Sequence, residues 1–186
     1  MKKLTAAAIL SFCFVSATAQ ISKGQWLVGG HGNFYANEQG SFESTSYTIA
    51  PNVGYFVLDK LGAGLRTELY GSVLNDSETG ERLIKSFSYS ASPFVRYYVL
   101  PQTKKINPFA DVEYYIRRYR SVGHPNNVFK QTMFGPKLSG GVAFFVHTTV
   151  ALEGIVTYRK YTYNEEGAGQ SGSRALEVKI GFQVHL

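Results

Sequence analysis

Apolar and polar residues alternate with period two along most of the chain after residue 20. The first alternating run places Trp26, Val28, Gly30, Gly32 and Phe34 on one face. The last run places Leu176, Val178, Ile180, Phe182, Val184 and Leu186 on one face. Such alternation is typical of strands with one apolar and one polar side. We count eight runs, which predicts an all-β domain of eight antiparallel strands.

The polar segments between these runs alternate in length. Short connections are predicted near 58–60, 101–107 and 147–149, and long polar loops near 37–45, 75–85, 121–131 and 164–173. Short turns on one side and long loops on the other are typical of barrels that span the bacterial outer membrane. The pattern therefore predicts an up-and-down transmembrane β-barrel with both termini on the periplasmic side.

The first residues have the pattern of an export signal. Met1-Lys2-Lys3 is basic, an apolar stretch follows from Leu4 to Val15, and Ser16-Ala17-Thr18-Ala19 ends in an Ala-x-Ala cleavage site. A helical membrane anchor is disfavoured, because crossing a bilayer as a helix takes roughly 20 apolar residues. We predict a signal peptide at 1–19 and a barrel domain at 20–186. Cys13 lies in the leader, so the mature chain is expected to contain no thiol.

A weak internal repeat supports the hairpin count. Pro51-Asn52-Val53-Gly54-Tyr55-Phe56-Val57 resembles Pro93-Phe94-Val95-Arg96-Tyr97-Tyr98-Val99, and Pro136 occupies a comparable place further along. Proline inside a strand normally marks an edge or a bulge. These prolines are the feature that a regular barrel explains least well.

The face opposite the apolar one carries eleven charged residues. Six are cations and five are carboxylates: Arg66, Glu68, Arg96, Asp111, Glu113, Arg117, Lys137, Glu153, Arg159, Glu177 and Lys179. With the apolar face in lipid, these groups fill a lumen that in eight-stranded barrels is only wide enough for side chains. Isolated ions there would cost several kcal/mol each. We therefore predict an ion-pair network that plugs the barrel.

The opposite orientation describes a soluble carrier with apolar side chains inside. Gly24-x-Trp26 resembles the Gly-x-Trp element of lipocalins, which have that orientation. In the membrane orientation, aromatic residues near strand ends are expected to form interfacial belts. The candidates for these belts are Phe34, Tyr47, Tyr97, Phe109, Tyr158 and Phe182.

Residues 20–186 resemble the small eight-stranded outer-membrane barrels of the OmpX/OmpA-barrel kind, and more closely the outer membrane protein β-barrel domain group of Bacteroidota. The terminal run of Ile180, Phe182, Val184 and Leu186 resembles the signal read by the barrel-assembly machinery, although it ends in Leu rather than Phe. The resemblance implies insertion into the outer membrane of a Gram-negative bacterium, where the chain is expected to be monomeric.

The formal net charge of +6 falls to +4 once Lys2 and Lys3 are removed. No run of five basic residues exists, so nucleic-acid binding is not expected. Arg118, Arg120 and Lys130 are candidates for contact with lipopolysaccharide phosphates, against the alternative of a solvated rim. We expect a structural or surface-interaction protein that acts through its long extracellular loops, with a narrow pore for small solutes as the alternative.

Enzymatic chemistry is expected to be absent. Some outer-membrane barrels act on lipid A with His, Ser and an acidic residue, but His31, His124, His147 and His185 show no spacing that indicates a catalytic triad. No His-x-His motif or carboxylate cluster indicates a metal site, and Glu165-Glu166 is interpreted as a solvated loop tip. We predict no catalytic residue, no metal and no cofactor.

Overall fold

A computed structural model describes residues 21–101, 104–123, 125, 127–165 and 169–186. The predicted signal peptide at 1–19 lies outside these residues, as do His124 and Glu166. Within the described part of the chain, no helix is long and apolar enough to cross a bilayer.

Eight strands account for nearly all of the described residues. They are β1 (Trp26–Gln39), β2 (Phe42–Leu58), β3 (Leu61–Asp76), β4 (Arg82–Tyr98), β5 (Ile106–Gly123), β6 (Asn127–Phe145), β7 (Val150–Glu165) and β8 (Gly169–His185). Each pairs with the next in antiparallel fashion, and β8 pairs with β1 to close a barrel. The predicted fold class is confirmed. Below, "base" denotes the barrel end with Trp26 and His185, and "top" the end with Gln39 and Gly169.

The two faces of each strand differ sharply in exposure. On β4, Ser88 and Ser92 are buried, whereas Phe87, Tyr89 and Val95 are exposed on the outer surface. A strand turns successive side chains to opposite faces, so the period-two pattern places the apolar set outside and the polar set inside. This is the reverse of a lipocalin-like carrier, and the alternative of an apolar interior is wrong.

The long loops predicted at the top are wrong. The strands run for 14 to 19 residues, and the polar segments continue the ladders almost to the tip of each hairpin. Only Gly40–Ser41 connects β1 to β2, and 77–81 connects β3 to β4. Backbone hydrogen bonds between strands do not require apolar side chains, so a hairpin can extend beyond the apolar part of its sequence. Polarity alone was therefore a poor indicator of where the strands end.

The connection from β3 to β4 is closed by a local side-chain turn. The Asp76 carboxylate accepts hydrogen bonds from the backbone N–H groups of Glu78 (2.9 Å) and Thr79 (3.0 Å). These donors favour the ionised form and lower the pKa of Asp76. Gly80 has a φ of 69°, a backbone conformation that glycine adopts without steric cost. This polar tip is thus specified by turn chemistry.

The three prolines of the weak repeat, Pro51, Pro93 and Pro136, each lie at a gap in one ladder. The β2–β3 register skips from Ile49 to Asn52 around Pro51. The β4–β5 register skips around Pro93 in the same way, and the β6–β7 register skips around Pro136. Proline has no N–H to donate, so these gaps lie where a ladder bond could not form.

The ladder that closes the barrel is much shorter than the others. Leu27–His31 pairs with Gly181–His185, five residue pairs at the base. By contrast, β5 and β6 pair from Ile106↔Phe144 to Gly123↔Asn127, along the full length of β5. We call the β8–β1 boundary the seam. Above His31 and Gly181 the structure has no β1–β8 register pairs among the described residues.

Candidate functional site in the charged lumen

All eleven charged residues of the predicted inner face point into the lumen. Eight of them form one continuous chain of ion pairs, in the order Glu153, Arg96, Asp111, Arg66, Glu113, Lys137, Glu68 and Arg117. The chain contains four cations and four carboxylates, so its formal charges cancel. Charges taken out of water are stabilised only by such close partners.

Arg96 on β4 has the largest number of partners in this chain and is 0% exposed. Its Nε and Nη2 donate to the two oxygens of Asp111 at 2.7 and 2.9 Å, a bidentate arrangement. Its Nη1 donates to Glu153 Oε1 at 2.6 Å and to the Tyr98 hydroxyl at 3.1 Å. The guanidinium also lies over the Phe109 ring, 4.1 Å from its centroid. Arg96 therefore joins β4, β5 and β7 across the interior.

The upper part of the chain is held by Arg66 and Lys137. Arg66 pairs with Glu113 and, at 3.4 Å, with Asp111. Lys137 Nζ lies 3.8 Å from a carboxylate oxygen of each of Glu68 and Glu113. Arg117 completes the chain by pairing with Glu68. These contacts connect β3, β5 and β6. Together with the contacts of Arg96, they make one neutral network that joins the neighbouring strands β3 to β7.

The remaining three charges form a separate cluster beside the seam. Glu177 pairs with Arg159 and, at 2.9 Å, with Lys179. Two cations share one carboxylate, so this cluster carries a formal charge of +1. The buried Nε of Arg159 has no hydrogen-bond partner. The two groups of lumen charges thus differ in balance, one neutral and one cationic.

Below the ion pairs, aromatic side chains fill the base of the lumen. Tyr98, Phe56 and Phe145 are buried together with His185, with ring centroids 5.3 to 6.0 Å apart. Phe109 packs on Tyr98 at 5.7 Å and is 3% exposed. Phe109 was predicted in an outer aromatic belt, and that prediction is wrong because it shares the inward parity of Asp111. We call this layer the aromatic floor.

At the closed part of the seam, two side-chain amides form a reciprocal pair of hydrogen bonds that joins β2 to β8. Asn52 on β2 and Gln183 on β8 exchange two hydrogen bonds of 3.1 and 3.0 Å. They reach each other across β1 at Gly29, which is opposite both residues in the register. A Cβ on Gly29 would collide with the backbone oxygen of Phe182. The lack of a side chain there is what lets β2 and β8 bond across β1.

The sequence prediction missed the amide pair and the aromatic floor. Asn52, Gln183, Tyr98 and His185 share the inward parity of their strands, which was the available signal. Which of these side chains meet depends on the register between strands, and the alternating pattern alone does not fix it.

No grouping of catalytic residues is found among the described histidines. The Nε2 atom of His31 is buried without a hydrogen-bond partner, and the lumen carboxylate Glu68 is paired with Arg117 and Lys137. His185 Nε2 lies 3.3 Å from the Tyr98 hydroxyl in the floor. His147 is in an exposed turn with Thr149. No metal-binding group of three or more His, Cys, Asp or Glu side chains occurs in the part of the chain that the structure describes.

The three candidate lipopolysaccharide contacts lie on the outer surface near the top. Arg118 and Arg120 follow one another on the outward face of β5, and Lys130 is directly opposite Arg120 on β6. Their neighbours on β4 are Tyr89 and Phe87, which are exposed on the same surface. The cations are therefore beside the upper aromatic residues.

The predicted assembly signal lies in the lower half of β8 and ends at Leu186, one residue beyond that strand. Ile180, Phe182 and Leu186 are exposed on the outer face at 77%, 52% and 57%, and Val184 shares this face with intermediate exposure.

Solved structures of small outer-membrane barrels are similar to this chain. The N-terminal β-barrel domain of Pseudomonas aeruginosa OprF has a TM-score of 0.59 at 10% identity, covering 88% of this chain and 98% of that one. P. aeruginosa OprG has a TM-score of 0.55 at 12% identity, covering 89% and 97%. Neisserial surface protein A has a TM-score of 0.54 at 16% identity, covering 86% and 94%. No family model and no curated protein sequence matches the chain. At these identities the likeness shows the fold.

Proposed function

We propose that the chain is an integral protein of a Gram-negative outer membrane, exported by a signal peptide at 1–19, whose sealed lumen gives it a structural or surface-interaction role. The outer face supports the membrane location, because its large apolar side chains are exposed on every strand. A strand of 17 residues with a rise of about 3.3 Å and a tilt near 40° spans roughly 43 Å, against about 25 Å for the apolar band. The polar hairpin tops would then project outside.

The observation that carries the sealed lumen is the neutral ion-pair chain lying above the aromatic floor. Arg96 and Tyr98 belong to both layers, since the Tyr98 hydroxyl bonds Arg96 and its ring packs on Phe109. Water and solutes would have to separate bidentate ion pairs to pass. Such separation leaves uncompensated charge in a small interior. A non-conducting barrel follows from this packing, and a narrow pore is disfavoured.

Planar-bilayer recording tests the seal. The refolded protein is expected to give no stable open-channel current. Arg96→Ala should still conduct poorly because the floor remains, whereas the double variant Arg96→Ala/Tyr98→Ala takes a central side chain out of each layer and should conduct. Val112→Ala, an outward-facing change on β5, serves as the control for handling and refolding. A stable open current from the unmodified protein would contradict the proposal.

The surface cations support lipopolysaccharide as the membrane partner. Arg120 and Lys130 are directly opposite in the ladder, and like charges in that position are destabilising unless an anion lies between them. Charge-assisted bonds to a phosphate would remove the repulsion. Arg118 lies one outward position nearer the base on the same strand. We propose that these three side chains bind lipid A phosphates, with the barrel as a monomer.

Binding to vesicles containing lipid A tests this contact. Lipid A is expected to raise the thermal unfolding temperature of the unmodified protein. The double variant Arg120→Gln/Lys130→Gln should need about tenfold more lipid A for the same rise. Lys104→Gln/Lys105→Gln also removes two positive charges, at the base of the barrel, and should have no effect. Vesicles with dephosphorylated lipid A should remove the difference between variants. Equal responses of all proteins to both lipids would sink the phosphate assignment. Catalysis is not part of this proposal, and its absence stays a prediction.

A further inference from the structure

The barrel wall has a gap at the seam above its five closing pairs. Leu176, Val178 and Ile180 on β8 are 70%, 79% and 77% exposed, and Phe34 on β1 is 71% exposed. Outward apolar side chains on β2 to β7 reach at most 56%. The excess exposure is confined to the two strands that lack each other as partners. The upper seam is therefore an opening in the wall.

On the outer surface, the lower end of this opening continues into an apolar groove. The groove holds about 460 Å³, within the range of about 300–1,000 Å³ that is usual for small-molecule sites. Its lining includes Gly30, Gly32, Ile49, Ile180 and Phe182. The two glycines add no side chain, so a bound molecule can approach the β1 backbone closely.

On the lumen side, the same opening faces the cationic cluster. Lys179 and Glu177 are inward residues on the part of β8 that pairs with β7 but has no register partner on β1. Arg159 on β7 forms an ion pair with Glu177, as does Lys179. The cluster has one positive charge in excess, and the Nε of Arg159 is unpartnered. The neutral ion-pair chain offers no such excess. An anionic group entering through the seam would meet Lys179 first and Arg159 behind it.

We propose that the seam binds an anionic amphipath with a single acyl chain, of the fatty-acid type. Its carboxylate would be held by Lys179 and Arg159, and its chain would leave through the opening to lie in the groove. Unpaired strand edges are costly in hydrocarbon because no water satisfies their backbone groups. A polar head at the opening would satisfy part of that need.

The position of the site defines which compartments it joins. The Arg96 ion pairs and the aromatic floor close the barrel below it, whereas the inward residue Asn37 above it is exposed. An amphipath could thus exchange between the top of the barrel and the adjoining membrane leaflet without crossing to the base. The inference rests on the proposed membrane location but not on lipopolysaccharide binding.

Fluorescence titration of the refolded protein in detergent with cis-parinaric acid, and with its methyl ester as the uncharged control, tests the charge contacts. The acid should bind saturably and more tightly than the ester. Lys179→Gln should weaken acid binding by about fivefold, and Glu177→Gln should tighten it by a similar factor. General damage to the fold would not tighten binding. Lys104→Gln should leave both probes unaffected. Acid and ester affinities that agree in all variants would overturn the proposal.

A disulfide across the opening tests the route. Continuing the seam register upward brings Gly32 opposite Ile180, so Gly32→Cys/Ile180→Cys should close the opening when oxidised. The oxidised form should lose acid binding at least about tenfold relative to the same protein reduced. Val28→Cys/Val184→Cys bridges residues that already pair and should bind equally in both redox states. Equal binding by the oxidised and reduced Gly32/Ile180 variant would overturn the route. Disulfide-linked dimers would overturn it as well, since the open edges would then pair two copies.

Discussion

The β4–β5–β6 wall and the β8–β1 seam are made from the same kind of alternating strand, but they are joined differently. In the wall, the ladder between β5 and β6 runs the full length of β5, and bonded charges cross the interior from Arg96 to Lys137. In the seam, five residue pairs join β1 to β8, and one amide pair joins β8 to β2 across β1. The wall has main-chain ladders from base to top, interrupted only at Pro93, and ion pairs across its interior. The seam has main-chain and side-chain connections only at its base.

This difference indicates where the barrel is rigid and where it can open. Local opening occurs where few buried contacts and hydrogen bonds must be broken. The seam joins the first strand to the last, so its closure pairs residues with the greatest separation along the chain and has the largest loop-closure cost. We infer that the wall sets the global stability of the barrel and that the seam sets its local dynamics.

The largest effect is expected from breaking the wall at Asp111. The Asp111 carboxylate accepts two hydrogen bonds from Arg96 and one from Arg66. Asp111→Ala therefore leaves two buried guanidinium groups short of a partner. Removing one member of a buried ion pair costs about 3–5 kcal/mol. We expect a loss of that size in the free energy of unfolding, measured by urea titration of the protein in vesicles with the fluorescence of Trp26.

Val112→Ala is the matched control, because it truncates the next side chain of the same strand on the outer face. We expect it to change the unfolding free energy by less than about 1 kcal/mol. If the two variants unfold at the same urea concentration, the ion-pair chain does not stabilise the wall and the contrast with the seam fails.

A smaller effect is expected at the seam from Gly29→Ala. The added Cβ would meet the Phe182 carbonyl and the Gln183 side chain, so β1 and β8 must move apart or the amide pair must break. Overpacking of this kind costs about 1–3 kcal/mol. Gly154→Ala is the control, since a Cβ there meets nothing within 4 Å. A variant at Gly29 that is as stable as the one at Gly154 would mean that the base of the seam tolerates separation.

The fold and the inner face of the barrel could be predicted because both depend on whether a residue occupies an odd or an even position along its strand. Alternation decides which side chains face the lumen, and it placed Arg96, Glu113 and Lys137 there without knowledge of any pairing. Phe109 has the same parity, and its assignment to the outer belt overlooked this. Strand ends could not be predicted, since the polar residues of 37–45 extend β1 and β2 through backbone bonds that any residue type can make.

The short length of the β8–β1 ladder could not be predicted from the sequence pattern, for a different reason. Each of the seven hairpin ladders is anchored by a connection close in the chain, which fixes its register. The β8–β1 ladder has no such connection, and its length depends on how the other seven strands tilt and twist together. The alternation of β1 and β8 is as regular as that of β5, so nothing in their residues indicated that closure stops at Gly181.

Hydrogen exchange compares the seam with β5 without altering any residue. The Leu186 N–H bonds to Trp26 on the β1 side, and the His185 N–H bonds to Thr149 on the β7 side, so even-numbered amides of β8 point toward β1. Phe182 and Val184 have register partners on β1, whereas Ile180, Val178 and Leu176 have none. In detergent micelles, hydrogen exchange followed by NMR should be at least about tenfold faster at Ile180 and Val178 than at Lys179 and Phe182. Consecutive amides of β5 from Ala110 to Glu113, which have register partners on both sides, should instead be protected alike. Equal protection of Ile180 and Phe182 would mean that the seam is closed along its full height.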